Sequence, residues 1–184
     1  MISFACLRLC ARISFFVFAL PPIVCSQTPD LTNLQESVRE QITTAQTPLT
    51  VLAKNPATKE TTLSEAYGRL GEIYHAYSLT SAARDAYVNA SRLAPKEFRW
   101  IYLVAKLDHQ DGRFDDAIRR YRLALTLRPD YIAALVNLGN IFLELNRLDE
   151  AAESFKSALK LDQNNPAAHY GLGHVAVSKQ SYGE

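Results

Sequence analysis

Cysteine is confined to the start of this 184-residue chain: Cys6, Cys10 and Cys25 are its three, and none follows. Everything after residue 25 is therefore without disulfides, thiol nucleophiles or thiolate metal sites. Glycine and proline are sparse, at 7 and 8, which excludes a collagen-like or low-complexity chain. Neither charge sign dominates, with 20 Lys or Arg against 19 Asp or Glu. No basic surface is thus broad enough to make nucleic acid the default partner. Long apolar runs are also missing. The run from Ile13 to Val24 is well short of the ~20 residues a membrane-spanning helix needs.

Hydrophobic residues make up 48% of the chain, and 19 of them crowd into residues 1–26 with four of the eight Phe. Arg8 and Arg12 precede the apolar run, which holds Phe15-Phe16-Val17-Phe18 and Pro21-Pro22, and no acid is present. This is the build of a signal peptide. Val24-Cys25-Ser26 puts small or modest side chains where a signal peptidase reads, so cleavage is expected after Ser26. Two alternatives stand beside it, a lipid on Cys25 and a retained leader. Pro22-Ile23-Val24 suits lipidation poorly, because a small residue is wanted next to the cysteine. Cleavage leaves 18 basic residues against 19 acidic ones, a net charge of −1. The expected location is exported, secreted or periplasmic, with membrane contact only through the leader or a lipid on Cys25.

Beyond the leader the chain repeats itself every 34 residues, in blocks 64–97, 98–131 and 132–165 without a gap. Position 7 holds Leu70, Val104, Leu138 and Leu172; position 8 holds Gly71, Ala105, Gly139 and Gly173. Position 20 is Ala83, Ala117 and Ala151, position 24 is Tyr87, Tyr121 and Phe155, and position 27 is Ala90, Ala124 and Ala158. Pro95 and Pro129 stand at position 32, where Gln163 replaces the third. Small residues at 8 and 20 suit two antiparallel helices in close approach. The aromatic at 24 fills the space beside the small residue at 27, and a proline cannot continue a helix. Turns at Asp111-Gly112-Arg113 and Asn146-Arg147 separate the helices. Asp115-Asp116 and Asp149-Glu150 then place negative charge at a helix N-terminus.

This register resembles the tetratricopeptide repeat, a helix-turn-helix unit, over residues 64–184. The resemblance implies an all-α fold, a right-handed α-solenoid of antiparallel helix pairs. Three full repeats and a partial fourth, 166–184, follow a capping segment at 27–63. Two positions depart from the signature. Position 4 is aromatic only at Tyr67, with Ile101, Leu135 and His169 elsewhere, and position 11 carries Asp108 between Tyr74 and Phe142. An acid at 108 implies loose packing or a specific polar contact.

In the capping segment, Leu31, Leu34, Val38, Ile42, Ala45, Leu49 and Leu52 recur at helical spacing over residues 30–54. Pro48 is expected to kink or divide that helix near Gln46-Thr47, and Asn55-Pro56 to end it. Thr62-Leu63-Ser64-Glu65 reads as a capping box opening the first repeat helix. The fourth repeat stops one residue before its second helix. Leu172 and Val175 are therefore expected to lose their cover, permitting weak self-association through the last helix, and the chain reads as a fragment of a longer repeat protein.

No catalytic constellation emerges. Gly171-x-Gly173 lies inside a helix rather than in a phosphate loop, no Gly-x-Ser-x-Gly occurs, and no cofactor or metal site is expected. A surface remains, and the resemblance implies that the first helices line a concave groove. Its candidate partner-binding residues are Arg69, Glu72 and His75, then Arg99, Tyr102, Lys106 and His109, then Asn137, Asn140 and Glu144, and lastly Tyr170 and His174. This mixed lining suits a protein or peptide partner. The carboxylate clamp of chaperone-binding relatives is not expected. Its positions hold Gly68, Glu72, Leu103, Ala133 and Asn137, of which only Asn137 fits. The reading is an exported, non-enzymatic scaffold. The alternative is the docking arm of a larger enzyme or assembly factor whose remaining domain lies beyond residue 184.

Overall fold

The computed structural model describes residues 29–181. The leader, its cleavage site and all three cysteines lie outside the described residues. Eight helices are present, and no strand occurs among the described residues: α1 Glu36–Lys54, α2 Glu60–Ala76, α3 Thr80–Leu93, α4 Phe98–Gln110, α5 Phe114–Leu127, α6 Ile132–Glu144, α7 Leu148–Leu161 and α8 Pro166–Ser181. The chain forms two compact units, divided within α4 after Trp100.

In the first unit α1 packs on α2. Ile42 is fully buried, Gln46 Nε2 donates to the Tyr74 hydroxyl at 2.7 Å, and the Tyr77 hydroxyl donates to Gln41 Oε1 at 2.5 Å. Two expectations for this segment fail. Leu31 and Leu34 precede the helix, in a turn closed by Leu34 N–H to Leu31 C=O at 3.1 Å, and α1 runs undivided through Pro48. The contacts with α2 hold the segments on both sides of the proline, which itself faces outward. Asn55 caps α1 as expected.

The capping box at Thr62–Glu65 is also absent. α2 starts earlier, at Glu60, so Ser64 lies inside the helix, and its buried hydroxyl donates to the Ala90 carbonyl of α3 at 2.8 Å. The hydroxyl that read as a cap is a bridge between two helices.

The repeat positions form the core. Ala83, Ala90, Ala117, Ala124, Ala151 and Ala158 are fully buried, and Tyr87, Tyr121 and Phe155 nearly or fully so. A methyl group on Gly71 would meet the Tyr87 ring at 2.7 Å, and one on Gly139 the Phe155 ring at 2.6 Å. Trp100, unsignalled by the repeat, is 1% exposed and stacks on Tyr87 with ring centroids 6.2 Å apart. Its ring fills the space that Gly68 leaves, where a Cβ would lie 2.2 Å away.

Each helix pair turns at position 15 through a left-handed residue, Ser78 (φ 59°), Gly112 (φ 71°) or Asn146 (φ 55°). Each second helix ends alike, with Ala94, Arg128 and Asp162 donating their N–H to Ala90, Ala124 and Ala158. The third does so without a proline after it. α8 opens on Pro166 at its first position, with Asn165 Oδ1 accepting from Ala168 N–H at 3.1 Å.

Asp108 replaces the usual aromatic with a polar contact. It is 1% exposed; Arg113 Nε and Nη2 lie 3.0 and 2.8 Å from its Oδ1, and Arg120 bonds its Oδ2.

The last helix corrects two further expectations. Val175 is buried and Leu172 joins the same core, because α8 turns them toward α6 and α7. Gly173 has nothing within 4 Å, and Gly171 is the close-approach glycine instead, with a Cβ placed 2.3 Å from the Phe155 ring.

Candidate interaction surface

The first unit places four of the candidate residues. Arg69 and Glu72 are exposed on α2, while His75 is half-buried with its ring edge-on to Tyr87 at 6.2 Å. Burial, helped by Glu72, pushes the Tyr87 hydroxyl well above its ordinary pKa, so it stays protonated. Arg99 is committed to local partners. Its Nη2 lies 2.5 Å from Glu65 Oε1, its Nε lies 3.0 Å from Glu97 Oε1, and its guanidinium sits 4.7 Å from the Trp100 ring centroid. Hydrogen bonds from Glu97 and Glu65 raise its already high pKa.

The second unit holds the other eight. Tyr102 of α4 packs edge-on to Tyr131 at 4.8 Å and beside Tyr121 at 5.6 Å. Its hydroxyl accepts from Asn137 Nδ2 of α6 at 3.2 Å. Two turns along, His109 Nε2 lies 2.8 Å from Glu144 Oε1, with Phe114 against the imidazole at 5.9 Å. Two side-chain bridges thus tie α4 to α6 along one face. Lys106 is exposed between them and Asn140 half-buried. On α8, Tyr170 is 72% exposed and sits edge-on to His174 at 4.7 Å.

Tyr131 and Phe114 belong to this face and were not legible in the repeat register. Tyr131 is the last residue of its block, where the neighbouring blocks carry Glu97 and Asn165. A cavity of about 230 Å³ opens elsewhere, between α5, α6 and α7, lined by Arg122, Phe142, Glu150 and Ser154 among others. None of the candidate residues lines it. Among the described residues no helix is long and apolar enough to cross a membrane, and no three His, Cys, Asp or Glu gather as a metal site.

Residues 105–145 and 139–179 match the family model described as TPR repeat. Human protein O-mannosyl-transferase TMTC3 is 28% identical over 127 residues, which is 61% of this chain and 14% of that one. The mouse protein of that name is 33% identical over 89 residues, 48% of this chain and 10% of the relative. The chain thus spans a small fraction of these relatives. Among solved structures, the first repeat domain of Spaghetti (RPAP3) bound to HSP90 peptide SRMEEVD superposes with a TM-score of 0.63 at 21% identity, covering 65% of this chain and 95% of that one. MamA superposes with a TM-score of 0.69 at 17% identity, covering 78% and 79%. Repeat register, helix pairing and these likenesses agree: the chain is a tetratricopeptide repeat protein.

Proposed function

We propose that this protein is an exported, non-enzymatic scaffold that binds a protein partner on the face of its first helices. One observation carries the reading: Tyr102–Asn137 and His109–Glu144 join α4 to α6, holding aromatic, amide and charged groups in one row. A preorganised row of this kind suits a peptide, since the groups that meet the ligand need little ordering on binding. The RPAP3 domain, solved with a bound HSP90 peptide, supports peptide recognition on this fold. The test is crosslinking from the exported fraction with Lys106→Glu and Asn140→Ala. Loss of specific crosslinked partners is expected; an unchanged set overturns the groove. Export itself is checked by intact mass of the secreted product, where a retained Met1 overturns cleavage after Ser26.

The mannosyl-transferase relatives favour a second reading, in which these repeats are the docking arm of a larger enzyme. The coding sequence beyond residue 184 separates the two. Further repeats support the scaffold, and a globular domain supports the arm.

A further inference from the structure

Positions 4, 8 and 11 compare the four first helices directly. In the full repeats they are buried or half-buried: Tyr67, Gly71 and Tyr74; Ile101, Ala105 and Asp108; Leu135, Gly139 and Phe142. In α8 the same positions are His169, Gly173 and Ala176, and all three are exposed. The aromatic at position 24 covers this surface elsewhere, as Tyr87 covers Gly71 and Phe155 covers Gly139. The outward face of α8 therefore continues an interface that the molecule already builds twice.

We infer that this face of α8 docks an acidic amphipathic helix of another protein, one that carries alanine, an aromatic four residues on, and alanine three residues after that. The spacing is that of Ala151, Phe155 and Ala158. The aromatic ring lies over Gly173, where a side chain of any size would block it. Three features select this occupant. His169 and Ala176 stand where Tyr67, Leu135, Tyr74 and Phe142 stand in the full repeats, so the face tolerates water and suits a partner that comes and goes. α8 carries His169, His174 and Lys179 and no acid, and Lys179 already holds Asp149 of α7 at 2.6 Å, which favours an acidic partner helix. A second copy of this chain has no such helix to offer, because Ala83–Tyr87–Ala90, Ala117–Tyr121–Ala124 and Ala151–Phe155–Ala158 are all within 1% of full burial.

The probe is a fluorescent peptide copying residues 147–162, titrated with the full chain. Saturable binding is expected, lost when the peptide carries Phe155→Ser. Gly173→Leu in the protein should weaken binding by more than about tenfold, with Tm unchanged or raised, since nothing surrounds that position. Lys106→Glu with Asn140→Ala should leave binding intact. Absence of binding overturns the inference, as does equal binding by the Gly173→Leu protein or the Phe155→Ser peptide. Loss of binding in the Lys106→Glu, Asn140→Ala protein places the peptide in the groove and also overturns it. Sedimentation showing self-association that Gly173→Leu abolishes would assign the face to a second copy instead.

Discussion

Asp108 is a carboxylate sealed from water at a position where the neighbouring repeats carry Tyr74 and Phe142. Its two arginine partners are 43% and 38% exposed, so they return to water readily if the acid is removed. The acid has no such escape. Arg113→Ala with Arg120→Ala should therefore cost about 3–5 kcal/mol, the range for stranding a buried charge, measured by urea unfolding. Asp108→Leu, in contrast, should stay within about 1 kcal/mol of the parent or exceed it, because a well-packed apolar group replaces a buried ion pair at little cost. Ser78 offers the opposite opportunity. Its φ of 59° lies where a side chain other than glycine costs about 1–2 kcal/mol, while glycine's extra unfolded-state freedom costs about 0.5–1. Ser78→Gly should thus raise stability by about 0.5–1 kcal/mol, and Asn146→Gly by less, since asparagine tolerates this conformation.

Helix α8 is held to α7 partly by charge. The Lys179 ammonium holds the Asp149 carboxyl below its ordinary pKa, and Arg147 does the same for Glu150 within α7. A depressed carboxylate stabilises the fold above its unfolded pKa and loses that contribution as pH falls through the folded one. Lys179→Met should accordingly lower Tm at pH 7, and the difference should vanish below about pH 4. The effect is small, because both partners face solvent. The helix ends teach a related lesson. Pro95 and Pro129 looked like the stops of α3 and α5, yet α7 ends with the same Asp162-to-Ala158 bond and no proline. Termination is set by the backbone bond and by packing of the alanine at position 27; the proline only agrees with it.

Across the whole molecule, the repeat register was legible because it is written in residue size. Small residues mark where helices touch, and aromatics fill what they leave. Features that answer to one neighbour alone were hidden. Trp100 is understood only beside Gly68, Ser64 only beside the Ala90 carbonyl, and Tyr131 only beside Tyr102. The same limit applies to the candidate surface. Spacing found Tyr102, His109, Asn137 and Glu144, but nothing in one dimension said that they would pair, or that Arg99 would be committed to Glu65 and Glu97. Apart from Asp108, the ion pairs described here have solvent-accessible partners. Raising salt from about 50 to about 500 mM should therefore move Tm by only a few degrees in differential scanning calorimetry.

The Phe155 ring lies against Gly139 of α6 and Gly171 of α8 at once. Gly139→Ala and Gly171→Ala should each destabilise by about 1–3 kcal/mol through overpacking, and Phe155→Leu should relieve both. Double-mutant cycles through Phe155 should show coupling of at least about 0.5 kcal/mol. The inheritance of the two glycines then becomes linked through a third residue. Mutation would first be tolerated at either glycine in lineages where the ring had already shrunk.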